Sequence, residues 1–205
     1  MIFIGVTGGI GSGKSLVCSL FEKKNIPVFY ADIIAKEITD NDLLVRQEIV
    51  DSFGSEVLDS STKKINRKKL AEIVFADESK IDKLNSIIHP RVFDKFEEWK
   101  ATIPKTSHYA LVEAALMFES EMDELLDYVL AVTADEKVRI ARVKERDKST
   151  EDQIQSRMKF QITAEELLEL SDFVLQNNGT KEELVSQINF FDILFSTLTE
   201  RKEIE

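Results

Sequence analysis

Lys14 and Ser15 close a glycine-rich run, and their side chains suit a polyphosphate. The segment Gly8-Gly9-Ile10-Gly11-Ser12-Gly13-Lys14-Ser15 fits the pattern G-x-x-x-x-G-K-[ST] of a phosphate-binding loop. Five of the chain's seven glycines fall in its first thirteen residues. Glycine lets the backbone approach a phosphate closely, with N–H groups turned inward as an anion nest. Gly9, Gly11, Ser12 and Gly13 are therefore expected to cradle the phosphates of ATP. Lys14 is placed to reach the β- and γ-phosphates, and the Ser15 hydroxyl to ligate Mg²⁺. The plainer alternative is an ordinary turn between strand and helix, but it leaves Lys and Ser at the required offsets unexplained. Leu16, next in line, brings no polar group and starts an apolar helix.

Two acids sit where strands are expected to end. Asp32 follows the run Val28–Ala31. It is either the N-cap of the next helix or a carboxylate that orients an acceptor hydroxyl and takes its proton. Position does not separate these readings. Glu113 ends the run His108–Glu113 and can hold Mg²⁺, usually through water, or serve as a structural cap or ion-pair partner. Glu119 is a weaker candidate, with the start of a helix as its plainer reading.

Basic residues gather later in the chain. Between Lys137 and Lys159 there are eight Lys or Arg against four acids, in a chain of net charge −11. A solvated helix face accounts for such a run as readily as a basic lid over a polyphosphate does. Arg139, Arg142 and Arg146 recur at helical spacing, with Arg157 beyond them. Arg142 and Arg146 are the candidates for phosphoryl contact, because guanidinium binds such groups bidentately and stays charged. Asn177-Asn178-Gly179 is either a simple turn or a loop bordering the nucleotide base. His89, before Pro90, reads as structural.

These residues need elements to hold them. Five short runs rich in β-branched and aromatic residues read as strands: Ile2–Val6, Val28–Ala31, His108–Glu113, Tyr128–Thr133 and Phe173–Gln176. Helical stretches alternate with them, which implies an α/β fold with a parallel sheet between helical layers. In such sheets the ligand lies past the C-terminal ends of the strands. The core is expected to comprise residues 1–32, 108–145 and 172–200. The stretch 33–107 is too long and apolar for a loop and reads as a helical, acceptor-binding insertion. Its helices are expected to carry Leu43, Leu44, Ile49, Val50 and Phe53 to a stop at Gly54, then Arg67 to Phe75 behind an Asn66 cap. One from Ser79 to Ile88 follows, and another is opened by Pro90. Residues 146–171 are the expected lid, with Ser149 and Asp152 as a capping arrangement. A last helix, from Lys181 to about Leu198, buries Leu184, Ile188, Phe191 and Phe195, with Arg201 to Glu205 fraying.

Composition narrows the classes. At 43% hydrophobic and 32% charged, the chain is ordinary for a globular protein. The negative charge argues against nonspecific binding to nucleic acid or anionic membrane. A lone Cys18 allows no internal disulfide. No apolar stretch approaches a membrane span, and nothing before Ile2 reads as a targeting peptide. A cytoplasmic protein, with small molecules as partners and a monomer as the favoured state, is the expectation.

The ordered set of motifs resembles dephospho-coenzyme A kinase over nearly the whole chain. Gly5 to Ser15 is similar to that family's phosphate loop, and Ala31-Asp32-Ile33-Ile34-Ala35 to its acceptor-side acidic motif. His89-Pro90 resembles a pair in its substrate lobe, and Leu116-Met117-Phe118-Glu119 the segment after its third strand. Arg142, Arg146, Arg157 and Gln161 fall where its lid has Arg and Gln. Asp172-Phe173-Val174-Leu175, with Asn177 and Gly179, resembles its closing motif. Tyr30, Glu113 and Ala115 depart from the family's usual Asp, Asp and Pro. The resemblance implies a fold like the nucleoside monophosphate kinases. It implies ATP-dependent phosphorylation of the ribose 3′-hydroxyl of dephospho-coenzyme A, the last step of coenzyme A synthesis. Two rivals remain: another small-molecule kinase of this fold, and a nucleotide-binding switch. The guanine motif N-K-x-D of GTPase switches is absent.

Overall fold

Five short apolar runs pair into one sheet, all parallel, in the order β2-β3-β1-β4-β5. The computed structural model describes residues 1–74, 77–148 and 150–202. The strands are β1 (Ile2–Thr7), β2 (Val28–Tyr30), β3 (Tyr109–Glu113), β4 (Tyr128–Thr133) and β5 (Phe173–Gln176). β1 lies at the centre, with Val6 opposite Glu113 on one side and Leu130 on the other. The expected second and third strands each lose an end residue. Ala31 turns into the next helix, and His108 stays outside the ladder.

Side-chain alternation decides which face each layer covers. Ile2, Ile4 and Val6 of β1 point to one face with Tyr109, Leu111, Leu130, Val132 and Leu175. That face is closed by α1 (Lys14–Glu22), through Val17, Cys18 and Phe21, and by α9 (Lys181–Lys202), through Leu184, Ile188, Phe191 and Phe195. The expected apolar stripe of the last helix is thus core. Its end is not frayed where expected: Arg201 and Lys202 are helical, and Lys202 pairs with Asp127. Glu203 to Glu205 lie outside the described residues. On the opposite face Gly5 leaves room for Met117, whose Cε would lie 3.0 Å from a Cβ there.

Between β4 and β5 run α6 (Glu136–Asp147), α7 (Glu151–Met158) and α8 (Ala164–Leu170). Ser149 lies outside the described residues, and the cap of α7 is Thr150. Thr150 and Gln153 form a reciprocal capping box, which satisfies two N–H groups at once.

The chain divides into two compact units, Ala31–Thr102 and the remainder. The first consists of α2 (Ala31–Asn41), α3 (Leu43–Phe53), α4 (Arg67–Val74) and α5 (Glu78–Lys100). Asp42 caps α3 through the N–H groups of Leu44 (2.8 Å) and Val45 (3.1 Å), and Gly54 stops it at φ 89°. Val45, Ile49 and Phe53 are buried, whereas Leu43 and Leu44 are 70% and 72% exposed, against the expected apolar face. Asn66 caps α4 as expected, accepting from Lys69 N at 3.1 Å; Phe75, its expected last residue, lies outside the described residues. Arg67 ties α4 to α2 by a two-pronged pair with Asp40, at 3.2 and 2.7 Å. The two helices expected around Pro90 are a single α5 with Pro90 inside it. Proline removes one ladder bond and crowds the preceding turn, a cost of about 3 kcal/mol. Ile87, Val92 and Phe96 are buried on both sides of it, so packing outweighs the local penalty.

Candidate active site

The glycine loop leaves β1 at the C-terminal edge of the sheet, between strands that continue in opposite directions, β3 and β4. This is the switch point at which open α/β sheets bind ligands. Gly13 takes φ 101° and is the N-cap of α1, where it offers no side-chain cap. A Cβ on it would lie 2.2 Å from Asn177 Nδ2, and one on Gly8 2.1 Å from the Val132 carbonyl oxygen. The loop therefore lies against two strand ends and has no room for side chains there. Ser12 N–H donates to Gly9 O at 3.0 Å and shapes the loop. Lys14 Nζ donates to Gly8 O at 2.8 Å, so the ammonium is folded back along the loop.

Ser15 Oγ donates to Glu113 Oε1 at 3.3 Å. Glu113 is buried at the end of β3, so a hydroxyl and a carboxylate meet beside the loop. These are hard oxygen donors, suited to Mg²⁺. Among the described residues no three His, Cys, Asp or Glu gather into a metal cage. A small protein contribution of this kind fits Mg²⁺, which keeps waters and takes its other oxygens from phosphates. Ser12 Oγ is buried without a hydrogen-bond partner, an orphaned polar atom within the loop that a phosphate oxygen would satisfy. Cys18, one turn on, is inert: burial, and then the charge of Glu113, push its thiol well above the ordinary range.

The arginines expected to act as one basic group are divided by the fold. Arg142 binds the loop, its Nη1 donating to Ser12 O at 3.4 Å and its Nη2 to Asn177 O at 2.9 Å. Arg146 instead pairs with Asp147 through two bonds, 2.6 and 2.9 Å, and Arg157 joins the same carboxylate at 3.2 Å. The Arg146 bonds, with help from Arg157, hold the Asp147 carboxyl down at about 2. Arg146 still borders a cleft of about 340 Å³ with Gly11, Lys14, Ser15 and Arg142. Asn177 also borders it but is buried, and its Nδ2 donates to Ser12 O at 2.8 Å. Asn177 thus clamps the loop, a role the turn motif did not disclose.

Sequence reasoning named Gln161 only through resemblance, and the structure gives it a definite place. Its Oε1 accepts from Ile10 N at 2.8 Å and its Nε2 donates to Ala115 O at 3.0 Å. One amide thus joins the glycine loop, the segment after β3 and the turn after α7. Beside it Glu119 Oε1 accepts from Ile162 N at 2.9 Å, so Glu119 fastens that turn and begins no helix. Neither contact has a local sequence signal, because the partners are far apart in the chain.

Asp32 belongs to the other compact unit, in the first turn of α2. It does not cap: the helix begins one residue earlier, and among the described residues its carboxylate accepts no hydrogen bond. The N-cap reading is therefore corrected. His89 stacks at a tilt on Phe93 in α5, ring centroids 6.2 Å apart, in keeping with a structural role.

Comparison with known proteins bears on the whole chain. The family model described as dephospho-CoA kinase matches residues 2–183. This chain belongs to the dephospho-CoA kinase family. A dephospho-CoA kinase of Salinibacter ruber is 44% identical over 185 residues, covering 90% of this chain and 92% of that one. Among solved structures, a protein from Thermus thermophilus superposes with TM-score 0.82 at 28% identity, covering 94% of this chain and 96% of its own. A dephospho-CoA kinase from Campylobacter jejuni gives 0.69 at 28% identity, covering 95% and 97%. Membership of a kinase family makes ATP the phosphoryl donor. Among the described residues no helix is long and apolar enough to cross a membrane.

Proposed function

We propose that this chain transfers the γ-phosphoryl group of ATP to the ribose 3′-hydroxyl of dephospho-coenzyme A, giving coenzyme A and ADP. The family match over residues 2–183 carries this reading. The Ser15–Glu113 pair beside a phosphate loop supports it chemically. In the scheme, Gly9, Gly11, Ser12 and Gly13 enclose the phosphates, and Lys14 swings from Gly8 O onto the β- and γ-phosphates. Ser15, with Glu113 through water, would hold Mg²⁺, which when bound neutralises phosphate charge. Arg142 braces the loop and contributes charge to it, and Asn177 keeps its floor in place. Arg146 reaches the phosphates by leaving Asp147. Residues 146–171 act as the lid and 33–107 as the acceptor lobe. Asp32 orients the 3′-hydroxyl and accepts its proton as the bond to phosphorus forms. A cytoplasmic setting follows from dependence on ATP.

The test is ADP release with a panel of acceptors. Dephospho-coenzyme A should be turned over with the new phosphate on the 3′-oxygen. AMP and adenosine should be far poorer, because they lack the pantetheine arm whose binding energy lowers the barrier. A higher kcat/KM for AMP would assign the chain to a different small-molecule kinase activity.

A further inference from the structure

We propose that Arg139, in addition to Arg146, contacts the transferring phosphoryl group; this rests on the reading of the chain as an ATP-dependent kinase. Arg139 lies in the first turn of α6, where the helix dipole disfavours a cation. Its placement there breaks a local rule, as residues at functional sites often do. Its backbone is seated on the loop: a Cβ on Gly11 would lie 2.5 Å from the Arg139 carbonyl oxygen. Its side chain crosses Gly9, where a Cβ would lie 2.1 Å from Nη1 and 3.2 Å from Cζ. Lys14 Nζ sits on the neighbouring Gly8. The loop lysine and the Arg139 guanidinium thus converge on Gly8–Gly9, the end of the loop from which the lysine reaches the γ-phosphate.

Arg139 also differs from its neighbours in what it is bonded to. Arg142 is engaged by two carbonyls, and Arg146 and Arg157 by Asp147. Arg139 Nε is buried with no hydrogen-bond partner, and among the described residues the guanidinium has no ion pair. Glu119, Glu136 and Glu165 line the same cleft of about 480 Å³; Glu119 is engaged by Ile162 N, and among the described residues none of the three pairs with Arg139. A half-buried guanidinium over an anion-binding loop, its Nε buried without a partner, has the donors that a phosphoryl group in flight requires.

The test measures binding of ADP and of ADP with aluminium fluoride, both with Mg²⁺, to wild type, Arg139→Gln and Arg139→Lys, alongside kcat. Wild type should bind the aluminium fluoride complex more tightly than ADP. Arg139→Gln should lose that preference, and with it kcat, on the order of 100-fold, with ADP affinity and thermal stability unchanged. Lysine should rescue poorly, since a point charge cannot bind bidentately. Unchanged kcat in Arg139→Gln, or ADP and its aluminium fluoride complex weakening equally, would overturn the proposal. Loss of the preference in a protein whose wild type makes no coenzyme A would instead overturn the acceptor assignment and leave Arg139 in place.

Discussion

At the residue scale, chemistry here depends on which polar groups are engaged and which are left open. Lys14 is folded onto Gly8, Arg146 onto Asp147, and Ser15 onto Glu113. Each is a bond within the protein whose donor a bound polyanion would also attract. Asp32 is different, since its carboxylate accepts no hydrogen bond among the described residues. Its removal should therefore leave folding nearly intact and damage only transfer. Asp32→Asn is expected to lower kcat on the order of 100-fold while ATP affinity and melting temperature stay put, because an amide cannot accept the proton. Stopped-assay kinetics with thermal unfolding check this. A stability loss with normal turnover would return the residue to a structural role.

At the element scale, α9 is fastened to the sheet by a polar lock within an apolar face. The buried Tyr109 hydroxyl donates to Asp192 Oδ1 at 2.7 Å, and Lys24 Nζ donates to Oδ2 at 2.8 Å. Burial would raise the Asp192 carboxyl, but the bonds from Lys24 and Tyr109 prevail and hold it below its ordinary value. Its folded pKa being depressed, the contribution is present above the unfolded carboxylate range and is lost as pH falls through the lowered value. Asp192→Ala should cost about 1–3 kcal/mol, since it strands a buried hydroxyl. Asp192→Asn, which keeps an acceptor for Tyr109, should cost less. It should also flatten the fall in stability below the ordinary carboxylate pKa. Urea titrations at several acid pH values read both effects. Equal costs for Ala and Asn would mean the charge, not the tyrosine bond, dominates.

At the scale of the whole molecule, a chain of net charge −11 concentrates its anion-binding groups on one loop. A nucleotide that binds the native state alone should, at one hundred times its Kd, add about 2.7 kcal/mol to the stability of the unit that holds the loop, and ATP is expected to do so. Thermal unfolding with and without nucleotide measures the shift, and Lys14→Ala should remove most of it together with turnover. An unshifted transition in wild type at saturating nucleotide would show that the loop does not hold ATP.

Local pattern by itself determined the five strands to within a residue or two, the phosphate loop, the capping of α4 by Asn66 and the apolar stripe of α9. Strand alternation, glycine spacing and helix periodicity are properties of neighbouring residues, and these features need nothing more. Its failures have the opposite cause. Pro90 reads as a helix start because the local penalty is visible in the sequence and the packing of Ile87, Val92 and Phe96 is not. The basic run reads as one group because charges add along a sequence, whereas the fold sends Arg142 to the loop, Arg146 and Arg157 to Asp147, and Arg139 across Gly9. Gln161 meets Ile10 and Ala115 from far along the chain, and Asn177 meets Ser12. Which donor finds which acceptor across such separations is decided only when the layers pack, because each bond requires positions that no single segment sets.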